Sequence, residues 1–202
     1  MNIDTLPQFI LVRGERRKCY AFATELLSRD KTSTILQDDL HAPVFEAMVQ
    51  SLFDDAFLDI DIDNLSTWDR ILPFGKITIS DYIRSATEDM RKHLGPSILG
   101  ELFVRGFQSG LYSDLCHTMV IRDFDDAADL APFLNTYGQS SIVLVELDSM
   151  YHVTAARSTH WIASLDPKQQ VDQFLKDLNS EKRRPKSSAE DTTDGRPNDT
   201  AN

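Results

Sequence analysis

The chain reads as an α/β domain built on a central parallel sheet. Apolar, β-rich runs at Phe9–Arg13, Thr118–Ile121 and Ser141–Leu147 alternate with segments of helical periodicity. That alternation is the order of strands joined by crossover helices, and it places helices on both faces of the sheet. A length of 202 residues with 41% hydrophobic content suits one such domain with a real core.

Taken in order, residues 9–13 form the first strand, and residues 18–29 carry apolar spacing suited to a helix. Ser33 to Leu36 predicts a second, short strand. Pro43 to Phe53 reads as an amphipathic helix with Val44, Ala47, Met48, Ser51 and Leu52 on one face, and Pro43 suits its first turn. Residues 54–75 form an acidic, irregular insert ended by Pro73 and Gly75. Asp54, Asp55, Asp59, Asp61 and Asp63 crowd it. The alternating Ile60 and Ile62, with no glycine and no terminal Glu, do not fit an EF-hand, so a solvated loop is expected.

Thr78 or Ser80 caps a helix over 80–93, closed by Gly95-Pro96, and Ser97 caps another over 98–110. Thr118 to Ile121 reads as a buried parallel strand. Asp125 to Tyr137 reads as a helix ending at Gly138. Ser141 to Leu147 is the clearest strand, with Ile142 to Val145 continuous and apolar. Residues 148–160 read as a lid-like excursion, Trp161 to Ser164 as a last short strand, and Pro167 to Leu178 as a helix with Val171, Phe174, Leu175 and Leu178 on one face. The domain is thus expected over 1–179. Residues 180–202 lack apolar anchors and are expected to be a disordered tail.

Net charge is −11. In the tail, Lys182, Arg183, Arg184, Lys186 and Arg196 balance Glu181, Glu190, Asp191, Asp194 and Asp199, so the acidic excess belongs to the domain. An acidic body disfavours broad nucleic-acid binding, which needs a positive field. It leaves room for a small phosphate ligand in a local basic pocket. No apolar run approaches the ~20 residues of a membrane span, so no membrane association is expected. No basic stretch leads into an apolar N-terminal run, which argues against a secretory signal. Two distant cysteines predict neither a disulfide framework nor a metal motif, and a cytoplasmic location follows as the expectation.

The first strand runs into Gly14-Glu15-Arg16-Arg17-Lys18-Cys19 and then a helix. That is the layout of a phosphate-binding loop, where backbone N–H groups and a lysine at a helix N-terminus hold phosphate oxygens. The working form, G-x-x-x-x-G-K-[ST], is incomplete here. Three residues separate Gly14 from Lys18, the second glycine is missing, and Cys19 stands where a hydroxyl would meet Mg²⁺. Ligands of parallel sheets sit at the carboxyl ends of the strands. The turns after Val12, Ile121 and Leu147 should therefore line one crevice, with Arg13, Arg16 to Lys18, Arg122, Asp123, Asp148 and Arg157 as its charges. The five histidines show no metal spacing, and no metal ligand set is expected.

Five segments in order resemble the phage-type deoxynucleoside monophosphate kinases, a branch of the P-loop kinases. They are the strand–loop–helix at 9–27; Ala42-Pro43-Val44-Phe45-Glu46-Ala47; Ile77 to Arg84 running through Asp89-Met90-Arg91-Lys92 to Leu94-Gly95-Pro96; Met119 to Ala127; and Trp161 to Ser164 with the final helix. The resemblance implies a three-layer P-loop kinase-like domain. It implies transfer of the ATP γ-phosphate to a dNMP with Mg²⁺, with Lys18 on phosphates, Asp123 at Mg²⁺, and Arg91, Arg122 and Arg157 on phosphates. Gly14, Arg16 and Arg17 would complete nucleotide binding. A phage origin would put the protein in the host cytoplasm.

The departures fall at the chemistry. The loop is short and lacks the hydroxyl, Phe45 stands at a family lysine, Ser80 or Ile79 at an arginine, Thr87 at a glycine and Ile121 at an aspartate. Each residue also has a plainer role. Lys18 suits a solvated helix start, Asp123 a helix cap, Arg91 a solvated face, and Cys19 a small buried position. The sequence therefore predicts a kinase-like protein with impaired transfer. The alternative is a catalytically inactive kinase-fold module that binds a nucleotide or a protein, with a homodimer left open.

Overall fold

The computed structural model describes residues 6–52, 64–72, 75–111, 116–147, 159–161 and 166–183. The strands are β1 (Phe9–Arg13), β2 (Ile35–Asp39), β3 (Thr118–Arg122), β4 (Ile142–Glu146) and β5 (Thr159–Trp161). The helices are α1 (Arg16–Ser28), α2 (Ala42–Leu52), α3 (Leu65–Trp68), α4 (Ile79–Leu94), α5 (Ile98–Gly106), α6 (Leu130–Tyr137) and α7 (Pro167–Arg183). All pairings between strands are parallel, in the order β2-β3-β1-β4-β5.

Alternation along the strands builds two cores. Phe9, Leu11, Met119, Ile121, Ile142 and Leu144 face one side, where they meet Val44, Phe45, Ile83, Leu99, Phe103 and Phe133 from α2, α4, α5 and α6. Ile10, Val12, Val120, Val143 and Val145 face the other, against Phe22 and Leu26 of α1 and Val171, Phe174 and Leu178 of α7. Phe9 is the aromatic hub of the first core, with Phe107, Phe133 and Tyr137 rings 4.6–5.4 Å away. The result is a three-layer α/β domain on a central parallel sheet.

The order of the strands creates the crevice. After β1 the chain leaves for the α1 face; after β3 it leaves for the α6 face. Adjacent strands whose connections part to opposite faces leave a gap at their carboxyl ends. The β1–α1 turn and the segment after β3 flank this gap. Phe124 N–H donates to the Val12 carbonyl at 3.1 Å, and Leu147 N–H to the Arg13 carbonyl at 2.9 Å, so the end of β1 is fixed on both sides.

Several boundaries differ from the sequence reading. Helix α1 starts at Arg16, not Lys18, which leaves Gly14 and Glu15 as the whole turn. Strand β2 covers Ile35–Asp39 instead of ending at Leu36. In α2, Val44 and Phe45 are buried and Ala47 is exposed. The acidic insert is not all solvated loop. Its second half forms α3, and Trp68 and Leu72 enter the core. The helix expected over 98–110 is α5 followed by a π-helical turn, Phe107–Leu111. Ser97 bonds the Glu101 carboxylate rather than capping the backbone. Asp126, not Asp123, accepts the N–H of Ala128 and starts the 3-10 turn before α6. Residues 54–63, most of the 148–160 excursion with Arg157, and residues 184–202 lie outside the described residues.

Candidate functional site

At the gap lies a cleft of about 690 Å³ lined by Arg13, Gly14, Glu15, Arg16, His41, Ser80, Ile83, Arg84, Asp123, Phe124, Asp125 and Glu146. Its floor is the β1–α1 turn. Gly14 has φ 146°, a conformation that side chains with a Cβ rarely adopt, and this lets the chain turn into α1 within two residues. Asp123 also has positive φ, 55°, which aspartate tolerates better than most residues. It follows β3 directly and turns its carboxylate toward α1.

Arg16 is the residue around which the cleft is organised. Its Nε pairs with Asp123 Oδ2, and its guanidinium carbon sits 3.6 Å from the centroid of the Trp68 ring. Cation–π contact of this kind is worth about 0.5–2 kcal/mol. Its Nη1 is buried with no hydrogen-bond acceptor among the described residues. Arg13 lies 3.6 Å from the buried Glu146 at the end of β4.

The end of β2 supplies a group that the sequence reading missed. Asp39 and His41 are buried beside Asp123, and the ligand-capable atoms of the three lie within 4.8 Å of one another. Asp39 Oδ1 accepts the backbone N–H of His41 at 2.9 Å and faces its Nδ1 at 3.3 Å. The imidazole Nε2 is 3.9 Å from Asp125 Oδ2. The signal was Asp39-Leu40-His41 at a strand end. With β2 expected to stop at Leu36, these residues fall outside every element that the sequence predicts.

Charge and burial set the titration of this group. Burial raises Asp123, the neighbouring Asp39 charge adds to it, and the carboxyl is pushed up to about 6 despite Arg16 and His41. Burial also works against ionised Asp39, but the hydrogen bond and charge of His41, then the charge of Arg16, outweigh it and hold Asp39 below its usual range. For His41, burial lowers the pKa, and the contact with Asp39 followed by the charge of Asp125 reverses this to a net rise.

The other residues singled out from the sequence lie apart from this group. Lys18 does not line the cleft; its Nζ is 3.7 Å from Glu15 Oε2. Arg17 is exposed and 3.9 Å from Asp69. Arg91 donates to Asp125 at 2.9 Å and to the buried Asp129 at 2.6 Å, so it holds the segment after β3 from behind. Arg122 points to the α1 side of the sheet, where its guanidinium lies 5.2 Å from the Tyr20 ring. The structure thus brings Gly14, Arg16 and Asp123 together, and leaves Arg17, Lys18, Arg91 and Arg122 outside the cleft.

The residues do not fit a Mg²⁺–ATP phosphate cradle. The two-residue turn offers little loop to wrap a phosphate. The N–H groups of Lys18 and Cys19 are used by the Glu15 carbonyl at 2.9 and 3.0 Å. Cys19 is buried, with Sγ 3.9 Å from the Val12 carbonyl, and supplies no hydroxyl to a cation. Among the described residues, no helix is long and apolar enough to cross a membrane. No family model, no curated protein and no solved structure matches this chain.

Proposed function

We propose that the protein is a deoxynucleoside monophosphate kinase-like module that binds a phosphorylated nucleotide in this cleft, with phosphoryl transfer impaired. One observation carries the reading. The cleft sits at the strand-order gap and is lined by Arg13, Arg16 and Arg84, of which Arg13 and Arg16 are paired with Glu146 and Asp123, beside the apolar Ile83 and Phe124. Cations beside apolar surface suit a ligand with an anionic end and a planar, weakly polar end. Impairment follows from the turn. Phosphoryl transfer rests on positioning and electrostatic stabilisation. Here Lys18 faces Glu15, Cys19 lacks the hydroxyl, and Arg16 is engaged by Asp123. Loss of one electrostatic donor already costs about 10²–10³ in rate at comparable sites.

The test is calorimetric titration with ATP, ADP and the four dNMPs, with and without Mg²⁺, followed by a coupled turnover assay. Binding of at least one nucleotide is expected, without turnover above the uncatalysed rate. Arg84 is exposed and, among the described residues, pairs only with Asp81, so Arg84→Ala should weaken binding severalfold and leave the fold intact. No heat with any nucleotide at about millimolar concentration would remove the nucleotide reading. Efficient Mg²⁺-dependent turnover would remove the impairment.

A further inference from the structure

We infer that the corner formed by Asp39, His41 and Asp123 is a protein-held site for a divalent cation of the Zn²⁺ and Mn²⁺ class, distinct from any Mg²⁺ carried by a nucleotide. The three side chains come from the ends of β2 and β3, and each is more than nine-tenths buried. Their ligand-capable atoms lie within 4.8 Å of one another. Ligands at about 2.0–2.2 Å from one tetrahedral ion stand ~3.4 Å apart, so side-chain movements of about an ångström close the set.

The second observation is His41 itself. Its Nδ1 is held by Asp39, and the backbone N–H of His41 bonds the same carboxylate. His41 lines the cleft, and its Nε2 lies 3.9 Å from Asp125 Oδ2, beyond hydrogen-bond distance. A buried imidazole fixed at one nitrogen by a carboxylate and open at the other is how metal-binding histidines are oriented. Asp125 is steadied in turn by Arg91 through its other oxygen, Oδ1, at 2.9 Å.

The charge balance points the same way. Asp39, Asp123, Asp125 and Glu146 outnumber Arg13, Arg16 and Arg91 around this corner by one, and the Arg16 pair runs through Asp123 Oδ2. Asp39, His41 and Asp123 each supply one ligand atom, and Asp125 Oδ2, 3.9 Å from His41 Nε2, flanks the site on the cleft side. One imidazole with carboxylates selects borderline transition ions over Mg²⁺, which prefers oxygen and water.

The site does not rest on the nucleotide reading, because the test uses metal alone. Chelator-stripped full-length protein is titrated with Zn²⁺, Mn²⁺ and Mg²⁺ without nucleotide, and the Co²⁺ form is examined by visible absorption. One ion per chain is expected, with Zn²⁺ or Mn²⁺ at least ~100-fold tighter than Mg²⁺. The Co²⁺ form should absorb in the visible as a nitrogen-ligated ion. His41→Ala should abolish tight binding. Asp39→Asn, which removes one carboxylate ligand, should weaken it by at least about 10–100-fold. Asp125→Asn, at a half-exposed residue, should weaken it severalfold and guards against misfolding of the buried variants. Lack of saturable binding on the wild-type chain would overturn the site. So would Mg²⁺ binding as tightly as Zn²⁺, or affinity unchanged in both His41→Ala and Asp125→Asn.

Discussion

Asp30 shows how one side chain organises a turn. Its carboxylate accepts N–H bonds from Thr32, Thr34 and Ile35 at 2.6–2.8 Å and the Thr32 hydroxyl at 2.6 Å. Burial raises its pKa, but these donors outweigh burial and bring the carboxyl down to about 2. A carboxyl depressed on folding stabilises the native state above its unfolded pKa and loses that contribution as pH falls through the folded value. Stability from Asp30 should therefore be full above about pH 4 and fall away toward pH 2. Asp30→Ala should cost about 1–2 kcal/mol at neutral pH, and the wild-type and variant unfolding curves should converge near pH 2. Urea titrations at several pH values check this. At the same scale, Arg16 and Lys18 exchanged the roles that the motif suggested. Position in the loop pattern pointed to Lys18. Early entry into α1 turned Lys18 toward Glu15 and Arg16 toward Asp123. That choice depends on Trp68 and Asp123, which are remote in sequence, so local pattern had no access to it.

Among elements, the packing of α5 against the 3-10 turn before α6 is the tightest joint. Gly100 N–H donates to Asp129 Oδ1 at 2.9 Å, and a Cβ at Gly100 would lie 2.2 Å from the Asp129 backbone oxygen. Backbone cannot step aside as a flexible side chain can. Gly100→Ala should cost about 2–4 kcal/mol, read as a lower denaturation midpoint with an unchanged slope. The same joint carries Arg91, so the variant should also disturb Asp125 in the cleft. Most elements were legible because their apolar spacing is strong. Strand β4, and the buried face of α7 with Val171, Phe174, Leu175 and Leu178, stand as the periodicity predicts. The misjudged boundaries have local causes. Arg16, Arg17 and Lys18 oppose the helix dipole and read as loop, yet Asp123 neutralises the first of them. Gln37, Asp38 and Asp39 are polar and lie beyond the run that the sequence reads as strand, yet parallel pairing with Val120, Ile121 and Arg122 carries them as strand.

The whole molecule is two half-cores clasping one sheet, and each must be filled for the strands to stay in register. Phe174 seals the thinner of the two, with its ring 5.7 Å from that of Phe22 across α1 and α7. Phe174→Ala should cost about 3–5 kcal/mol and lower the single unfolding transition, since both cores share the same strands. Circular dichroism and calorimetry on the full chain check it. The sequence by itself determined the fold class, the three layers and the buried face of the last helix. Those follow from periodicity and hydrophobicity, which are properties of short windows. It also marked the first turn as altered from a working phosphate loop. Only the tertiary structure decided the strand order and, with it, the site. With β3 beside both β1 and β2, Asp123 meets Asp39 and His41 within 4.8 Å although more than eighty residues of chain separate it from them. Contacts of that separation are made by sheet pairing and layer packing, and no local pattern along the chain encodes them.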